Sequence, residues 1–425
     1  GHVNLGSLRV RQDRMIFEGL AGAAKTGTGA ADDPSQLALA RIRQLSAHEI
    51  GHALGFAHNF AASSYNKGSV MDYPAPDVRV KNGELDFTHT YGVGIGTWDK
   101  HAATLLYGEM SDAQREARIQ KARKDGLLYV ADSQARSIAT GHPKGAVWDN
   151  GSDAAKTLAE VMNVRRIALS NFGAGSLQKG QPMSDLNNVI VPIYLYHRYQ
   201  TAAAAKIIGG MEFGYDLAGG GAAAAKIVPA NAQRAALAAV LETIKPAALD
   251  MTDDALSQLT PSLVSYSIAD SQRELFKRTA YPAFDLVAAA DTAAGLTFDA
   301  LLDPVRAARL VEFNRRDNAN LGFEEVLDTI TRTVMQAPPM GREGEIARAV
   351  QMRYAYGLMD LASGSVAPTV KARAIAELAA IQKNAARRNS EHAAFLSEEI
   401  QRFNTRTAEP VKAVTPEKAL PPGSP

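Results

Sequence analysis

The stretch HEIGHALGFAH, residues 48–58, places three histidines and one glutamate in a single short run. On a helix, which advances about 100° per residue, His48 and His52 lie one turn apart on the same face. Two histidines at this spacing can each give one nitrogen to a zinc ion without bending the helix. The stretch therefore predicts a metal-binding helix. The alternative is a histidine-containing helix that binds nothing.

The residues that follow favour a catalytic metal site over a structural one. Glu49, one residue from a ligand, is better placed to hold a zinc-activated water as general base than to bind the metal. Gly55 tolerates the positive φ at which a helix can end sharply, so His58 can turn back as a third ligand. Three nitrogen ligands leave one position open, which is typical of catalytic zinc.

A second motif, SVMDYP at residues 69–74, lies downstream of the histidines. HExxHxxGxxH followed by a methionine-containing turn is the metzincin signature. The chain resembles metzincin metallopeptidases at each motif position: His48, Glu49, His52, Gly55, His58 and Met71.

The resemblance implies roles for several of these residues. Zn²⁺ is the implied cofactor, and Met71 is the implied apolar floor beneath the zinc ligands, although it could be an ordinary core methionine. Tyr73 is implied to stabilise the oxyanion of the tetrahedral intermediate. The other interpretation of Tyr73 is a tyrosine packed near Pro74. Asp72 is a candidate to orient a ligand histidine because it lies close in sequence.

More widely, the chain is similar to a bacterial family of large, usually exported zinc-dependent metallopeptidases. The similar stretches are VNLGSLRVRQD, LSAHEIGHALGFAHNFAAS, SVMDYP, GVGIGTWDK, VWDNG and VPIYLYHRYQ. This resemblance implies an extracytoplasmic location and a protein or peptide substrate. No basic stretch followed by an apolar core marks a signal peptide here, and the chain is expected to be a piece of a longer protein.

Expectations for the fold start from the zinc helix. Metzincins build most of a twisted sheet before this helix, and with 47 residues ahead of His48 most of that sheet is expected to be missing. VNLGSLRV at 3–10 predicts a strand, either one that pairs with substrate or an ordinary surface strand. A short helix at about 11–20 should follow.

Asp33 and Pro34 predict the N-cap and first residue of a helix that runs to about Leu54. Four apolar residues of that helix share an arc that is expected to be buried: Leu39, Ile42, Ile50 and Leu54.

The rest of the chain is mostly helical in pattern. SDAQ at 111–114 predicts a capping box, and Gly126 predicts the end of that helix. Further helices are expected at roughly 153–172, 187–208, 231–244, 299–316, 322–336, 342–362 and 368–404. The predicted class is α+β, mainly α, with a metzincin-like zinc region at 1–100, a helical region at 101–407 and a disordered tail at 408–425.

Composition limits the function. The net charge of +1 gives no electrostatic indication of a nucleic-acid partner, and without cysteine any metal must be held by histidine and carboxylate. The most apolar run, VIVPIYLY at 189–196, is too short to span a bilayer.

We therefore expect a zinc endopeptidase with Glu49 as general base. The alternatives are a non-catalytic binding or scaffolding protein with a vestigial zinc site, and hydrolysis of a non-peptide amide at the same site.

Overall fold

Helices dominate the architecture. The computed structural model describes residues 7–218, 224–262 and 274–406. Helix accounts for 59% of the structure and strand for 3%, which confirms the predicted α+β, mainly α class.

The α-helices of the described residues follow one another closely along the chain. They are α1 (Ser7–Ala21), α2 (Pro34–Ala53), α3 (Thr97–Tyr107), α4 (Asp112–Lys124), α5 (Asp132–Ala135), α6 (Ala154–Ser170), α7 (Leu186–Tyr194), α8 (Arg198–Ala205), α9 (Ala230–Glu242), α10 (Pro246–Leu249), α11 (Asp253–Gln258), α12 (Leu286–Leu301), α13 (Pro304–Arg316), α14 (Phe323–Val334), α15 (Arg342–Ser363), α16 (Pro368–Ala385) and α17 (Glu391–Thr405).

The strands in the described part of the chain form two small antiparallel hairpins. In the first, β1 (Arg79–Lys81) pairs with β2 (Glu84–Asp86), with Val80 opposite Leu85. Asn82 and Gly83 connect them at φ values of 53° and 84°, which suits a tight hairpin turn. In the second, β3 (Met211–Glu212) pairs with β4 (Lys226–Ile227).

The strand predicted at residues 3–10 is wrong where the structure describes it. Residues 7–10 are the first turns of α1, and residues 3–6 lie outside the described part of the chain. The helix expected at about 11–20 is confirmed and simply begins earlier. Phe17 and Leu20 on α1 are buried in the main core. The helical periodicity over fifteen residues thus predicts the structure of this segment better than the short apolar alternation does.

The helix that carries the histidines forms as predicted. The Asp33 side chain accepts a hydrogen bond from the backbone N–H of Ser35 at 2.8 Å, and Pro34 is the first helical residue. Asp33 also accepts from the N–H groups of Gly27 and Gly29, at 3.0 and 2.8 Å, which fixes the preceding Gly-rich linker against the start of α2.

The predicted buried arc of α2 is wrong. Leu39, Ile50 and Leu54 are 41, 55 and 49% exposed, and Ile42 is half-buried. The face of α2 that is buried carries Leu37, Ala38, Arg41, Gln44, His48 and Gly51. Polar side chains take the inner face because they hydrogen-bond the backbone of the turn that packs there.

The helical region forms as predicted in outline, with more breaks. The capping box of Ser111 and Gln114 and the positive φ of Gly126 are confirmed. The segments expected at 187–208, 299–316 and 368–404 each contain two helices: α7 and α8, α12 and α13, α16 and α17. Most of α12 precedes its predicted segment. Its buried alanines allow it to pack closely on α15.

The main buried apolar cluster contains residues of both regions. Phe17, Leu37 and Phe87 belong to the same core as Leu158 and Ile193 of the helical region. The division at residue 100 stays a prediction, and the predicted tail at 408–425 lies outside the described residues.

His197 couples the stability of this core to pH. Burial, together with the positive charges of Arg165 and Arg198, holds the pKa of His197 well below its usual value of 6.5. As pH falls below 6.5, the unfolded chain binds a proton that the folded chain does not, so the free energy of unfolding falls.

We expect His197→Gln to remove this component. Between pH 6.5 and 5.5, the wild-type free energy of unfolding should fall by about 1 kcal/mol more than that of the variant. Urea unfolding at the two pH values measures the difference, and the other histidines cancel because both proteins contain them. Equal losses in the two proteins would contradict the assignment.

Candidate metal centre

The structure brings together the three histidines predicted to bind the metal. His48 and His52 come from α2, and Gly55, at φ 88°, reverses the chain so that His58 returns to them. One ring nitrogen from each histidine lies within 4.8 Å of the others, and the Nε2 atoms of His52 and His58 are 3.1 Å apart. Two nitrogens on one tetrahedral zinc are about 3.3 Å apart at the usual bond lengths.

A hydrogen bond at Nδ1 orients each of the three rings. Nδ1 of His48 donates to the Val70 carbonyl at 2.7 Å, and Nδ1 of His52 donates to the Phe56 carbonyl at 2.9 Å. Nδ1 of His58 donates to the Asp132 carboxylate at 3.0 Å. Because every partner is an acceptor, the ring proton lies on Nδ1 and the Nε2 lone pair is left for a metal.

The His48 Nε2 atom supports the fit of a metal. It is buried and has no hydrogen-bond partner within the described chain. A buried polar atom without a partner is costly, and a cation between the three Nε2 atoms would satisfy it. The donor set of three neutral imidazoles suits zinc.

The local electrostatics keep the His48 and His58 imidazoles neutral. Burial lowers the pKa of His48 to about 4, and the neighbouring imidazoles act in the same direction, against the bond to Val70. Burial also lowers the pKa of His58, although Asp132 opposes it. For His48 and His58, the unprotonated ring that metal binding requires is therefore the stable form at neutral pH.

Asp132 reaches His58 because the chain just before α5 packs against the residues after His58. The backbone N–H of Phe60 donates to the Val130 carbonyl at 3.0 Å, and the Asn59 side chain accepts from the Val130 N–H at 3.1 Å. Phe60 and Val130 share a small buried cluster. This pairing places α5 beside the third histidine.

Arg136 completes the surroundings of Asp132. Its Nε donates to the second carboxylate oxygen of Asp132 at 2.6 Å. Burial raises the pKa of Asp132, but the bonds from Arg136 and His58 outweigh it, so the pKa lies below its ordinary value. Asp132 is therefore an ionised acceptor at neutral pH, and its negative charge strengthens the hydrogen bond that fixes the orientation of the His58 ring.

Met71 forms a closely packed floor beside α2. It is 1% exposed, and a Cβ built on Gly51 would lie 2.2 Å from its Sδ atom, so only glycine leaves room there. The turn is held from both sides. Gln44 donates to the Val70 carbonyl at 3.1 Å, and Asp99 accepts from the Val70 N–H at 2.9 Å.

Tyr73 points its hydroxyl at the candidate metal site. The hydroxyl lies 3.0 Å from Nε2 of His58. The ring of Tyr73 is stacked between His48 and Trp148, at centroid distances of 4.9 and 5.5 Å. The backbone N–H of Trp148 also donates to the Tyr73 carbonyl at 2.9 Å, so the phenol is positioned by both ring faces and its own backbone.

Glu49 lies on α2 between the two histidines of the pair, with a partly exposed side chain. Its position on the helix is about 60° around the axis from that of His52. Its carboxylate makes no hydrogen bond or ion pair to the rest of the described protein. Its oxygens are therefore free to accept from water or substrate.

Two carboxylates of this centre, Asp132 and Asp99, had no role predicted from the sequence, and the role predicted for Asp72 is wrong. Asp72 accepts from the backbone N–H groups of Ser63 and Tyr73, at 2.8 and 2.7 Å, and does not orient a ligand histidine. That role belongs to Asp132, which carries no local sequence signal. Asp99, which holds the methionine turn, lies in the similar stretch GVGIGTWDK but had no assigned role.

Over the part of the chain that the structure describes, the histidine cluster is the one group of three or more residues that could hold a metal ion. No helix in the same residues is long and apolar enough to cross a membrane.

Comparison with known families agrees with this geometry. A family model described as Met-zincin matches residues 30–340, and the chain belongs to that family. No curated protein and no solved structure matches the chain.

The contact between Gly51 and Met71 can be tested directly. Gly51→Ala should force Met71 out of the floor, lowering the free energy of unfolding by about 1–3 kcal/mol, as expected for overpacking. Because His48 hydrogen-bonds to Val70, which precedes Met71 in the displaced turn, zinc affinity should fall as well. Chemical unfolding and zinc titration give the two values.

Gly175→Ala is the matched control, since an added Cβ there meets nothing within 4 Å. If Gly51→Ala behaves like Gly175→Ala in both measurements, the floor is not closely packed against α2.

Proposed function

We propose that this Met-zincin is a zinc-dependent endopeptidase that hydrolyses peptide bonds in protein or peptide substrates. The convergence of three Nδ1-bonded histidines on one point, with His48 Nε2 left without a partner, carries the proposal. His48, His52 and His58 would hold the ion. When bound, zinc supplies Lewis-acid polarisation of the substrate carbonyl and lowers the pKa of water.

Glu49 is the proposed general base. Its carboxylate accepts a proton from the water that attacks the substrate carbonyl carbon. It then returns that proton to the amide nitrogen as the C–N bond breaks, so the products are a carboxylic acid and an amine. Its freedom from other partners supports this role.

Tyr73 is the proposed donor to the carbonyl oxygen as that oxygen becomes negatively charged. Its hydroxyl lies at the metal-binding nitrogens, and stacking between His48 and Trp148 fixes its direction before substrate arrives. A donor that needs no rearrangement stabilises the transition state more than the ground state.

An extracytoplasmic location is part of the proposal. It rests on the sequence resemblance to exported metallopeptidases. The absence of cysteine is compatible with it, because the protein needs no oxidative folding.

Glu49→Gln separates catalysis from every non-catalytic role. It keeps the side chain's shape and removes the base, so turnover of an unstructured protein such as casein should fall by about 10²–10⁴. Zinc content, measured on the same samples by elemental analysis, should stay at one ion per chain. The protein expressed from its complete gene is used throughout.

Glu84→Gln is the matched control, since Glu84 is exposed on the β1–β2 hairpin. Wild-type turnover by zinc-loaded Glu49→Gln would refute the assigned base. A zinc-loaded wild-type protein that cleaves no peptide bond would support the scaffolding alternative or, if it hydrolyses a small non-peptide amide, the third alternative.

Tyr73→Phe tests the oxyanion role. The ring and its stacking remain while the hydroxyl is lost, so kcat should fall by about 10²–10³ with KM nearly unchanged. A change in KM alone would indicate that Tyr73 only contacts the substrate. Full activity would mean that the hydroxyl takes no part.

A further inference from the structure

Three buried or largely buried cations of the helical region hold one segment beside the metal centre. Lys206 follows α8, and Arg306 and Arg309 lie on α13. The segment, residues 132–145, is called the wall segment. It carries α5, whose Asp132 contacts His58. Each cation donates to backbone carbonyls of this segment.

The individual contacts cover most of its length. Lys206 Nζ donates to the carbonyls of Ala135 and Gly145, the latter at 2.8 Å, Arg306 Nη2 donates to Ile138 at 2.8 Å, and Arg309 Nη1 donates to Ala139 at 2.6 Å.

Burying these cations is costly, so their common target is informative. Lys206 is 2% exposed and Arg306 is fully buried, whereas such side chains are rarely buried without partners. Burial lowers the pKa of Lys206 to about 7, while the charge of buried Asp149 opposes this. A neutral apolar side chain would avoid the cost but could not donate to the wall segment.

The wall segment needs an external anchor. Its helix, α5, is a single turn, and an isolated turn is not stable by itself. Yet α5 must hold Asp132 within 3.0 Å of His58 Nδ1. The Ala135 carbonyl that accepts from Lys206 is at the end of this same turn.

Lys206 also interacts with the segment that carries Trp148, the residue that stacks on Tyr73. Asp149, whose charge acts on Lys206, directly follows Trp148, which stacks on Tyr73. The Lys206 amino group therefore contacts both α5, which carries Asp132, and Gly145, three residues before Trp148.

We propose that Lys206, with Arg306 and Arg309, is a positioning group that raises the zinc affinity of the histidine cluster by holding Asp132 against His58. The inference rests on the proposed zinc site but not on peptidase activity. It assigns the helical region a part in the metal centre, through contacts more than 60 residues apart in the chain.

A double-mutant cycle on zinc binding tests the route through Asp132. Losing a carboxylate that orients a metal-bound histidine costs 10–100-fold in affinity, so Asp132→Ala should raise the zinc Kd by that factor. Lys206→Met keeps the aliphatic stem and should raise the Kd by about 10-fold. Competition with a chromogenic chelator measures each Kd.

The variant that carries both substitutions distinguishes action through Asp132 from general support of the fold. If Lys206 acts through Asp132, the double variant should bind zinc about as weakly as Asp132→Ala alone. If Lys206 supports the fold in general, the two losses should multiply. A multiplied loss would overturn the proposal.

Arg165→Met is the matched control. Arg165 is also 2% exposed in the helical region and donates to two backbone carbonyls, Tyr194 at 2.6 Å and Ala248 at 2.5 Å, but it does not contact the wall segment. It should lower stability while leaving the zinc Kd within about 2-fold of wild type. An equal Kd for Lys206→Met and Arg165→Met would also overturn the proposal.

Arg309→Gln covers the case in which Lys206→Met does not fold. Arg309 is less buried and contacts the wall segment only near its middle, so the same pattern is expected with a smaller rise in Kd. An unchanged Kd there would count against the anchor. A wild-type protein that binds no zinc would refute the zinc site and the anchor together, whereas zinc binding without peptidase activity refutes only the proposed function.

Discussion

The hydrogen bond at each histidine Nδ1 is the interaction on which the metal centre depends. A neutral imidazole has one donor and one acceptor nitrogen, and the partner of one decides what the other can do. Here two backbone carbonyls and one carboxylate accept the three Nδ1 protons, so all three lone pairs point to one place. The methionine turn, the chain reversal at Gly55 and the wall segment each supply or support one of these acceptors.

The parts of this arrangement that depend on local geometry could be predicted from the sequence. The i,i+4 histidine spacing, the Asp33 cap and the positive φ of Gly55 follow from helix geometry within a few residues. The partner of His58 could not be predicted, because Asp132 lies 74 residues away and reaches it through hydrogen bonds of Asn59 and Phe60 to Val130. Such pairing is decided by tertiary packing.

Tertiary packing also explains why the predicted buried face of α2 is wrong. Apolar periodicity assumes that the buried face of a helix is its apolar face. On α2 the buried face instead carries Gln44 and His48, which donate to the backbone of the methionine turn, and Arg41, which donates to the Gln44 side chain. Functional sites are where such local rules fail, since burying polar groups is worthwhile only when they act together. The histidine motif was the signal that this helix would be an exception.

The buried charges of the helical region follow from the same constraint. A ligand histidine oriented by a carboxylate requires that carboxylate to stay ionised and fixed, yet Asp132 sits on a single helical turn at a half-exposed position. Apolar packing over Asp132 itself would raise the pKa of the carboxylate and close the approach to the metal. Donors to the backbone carbonyls behind the turn hold it from the inside and leave its outer face open. Lys206 and Arg306, buried in the helical region, are those donors. The favourable packing of the core around them offsets the free-energy cost of burying them.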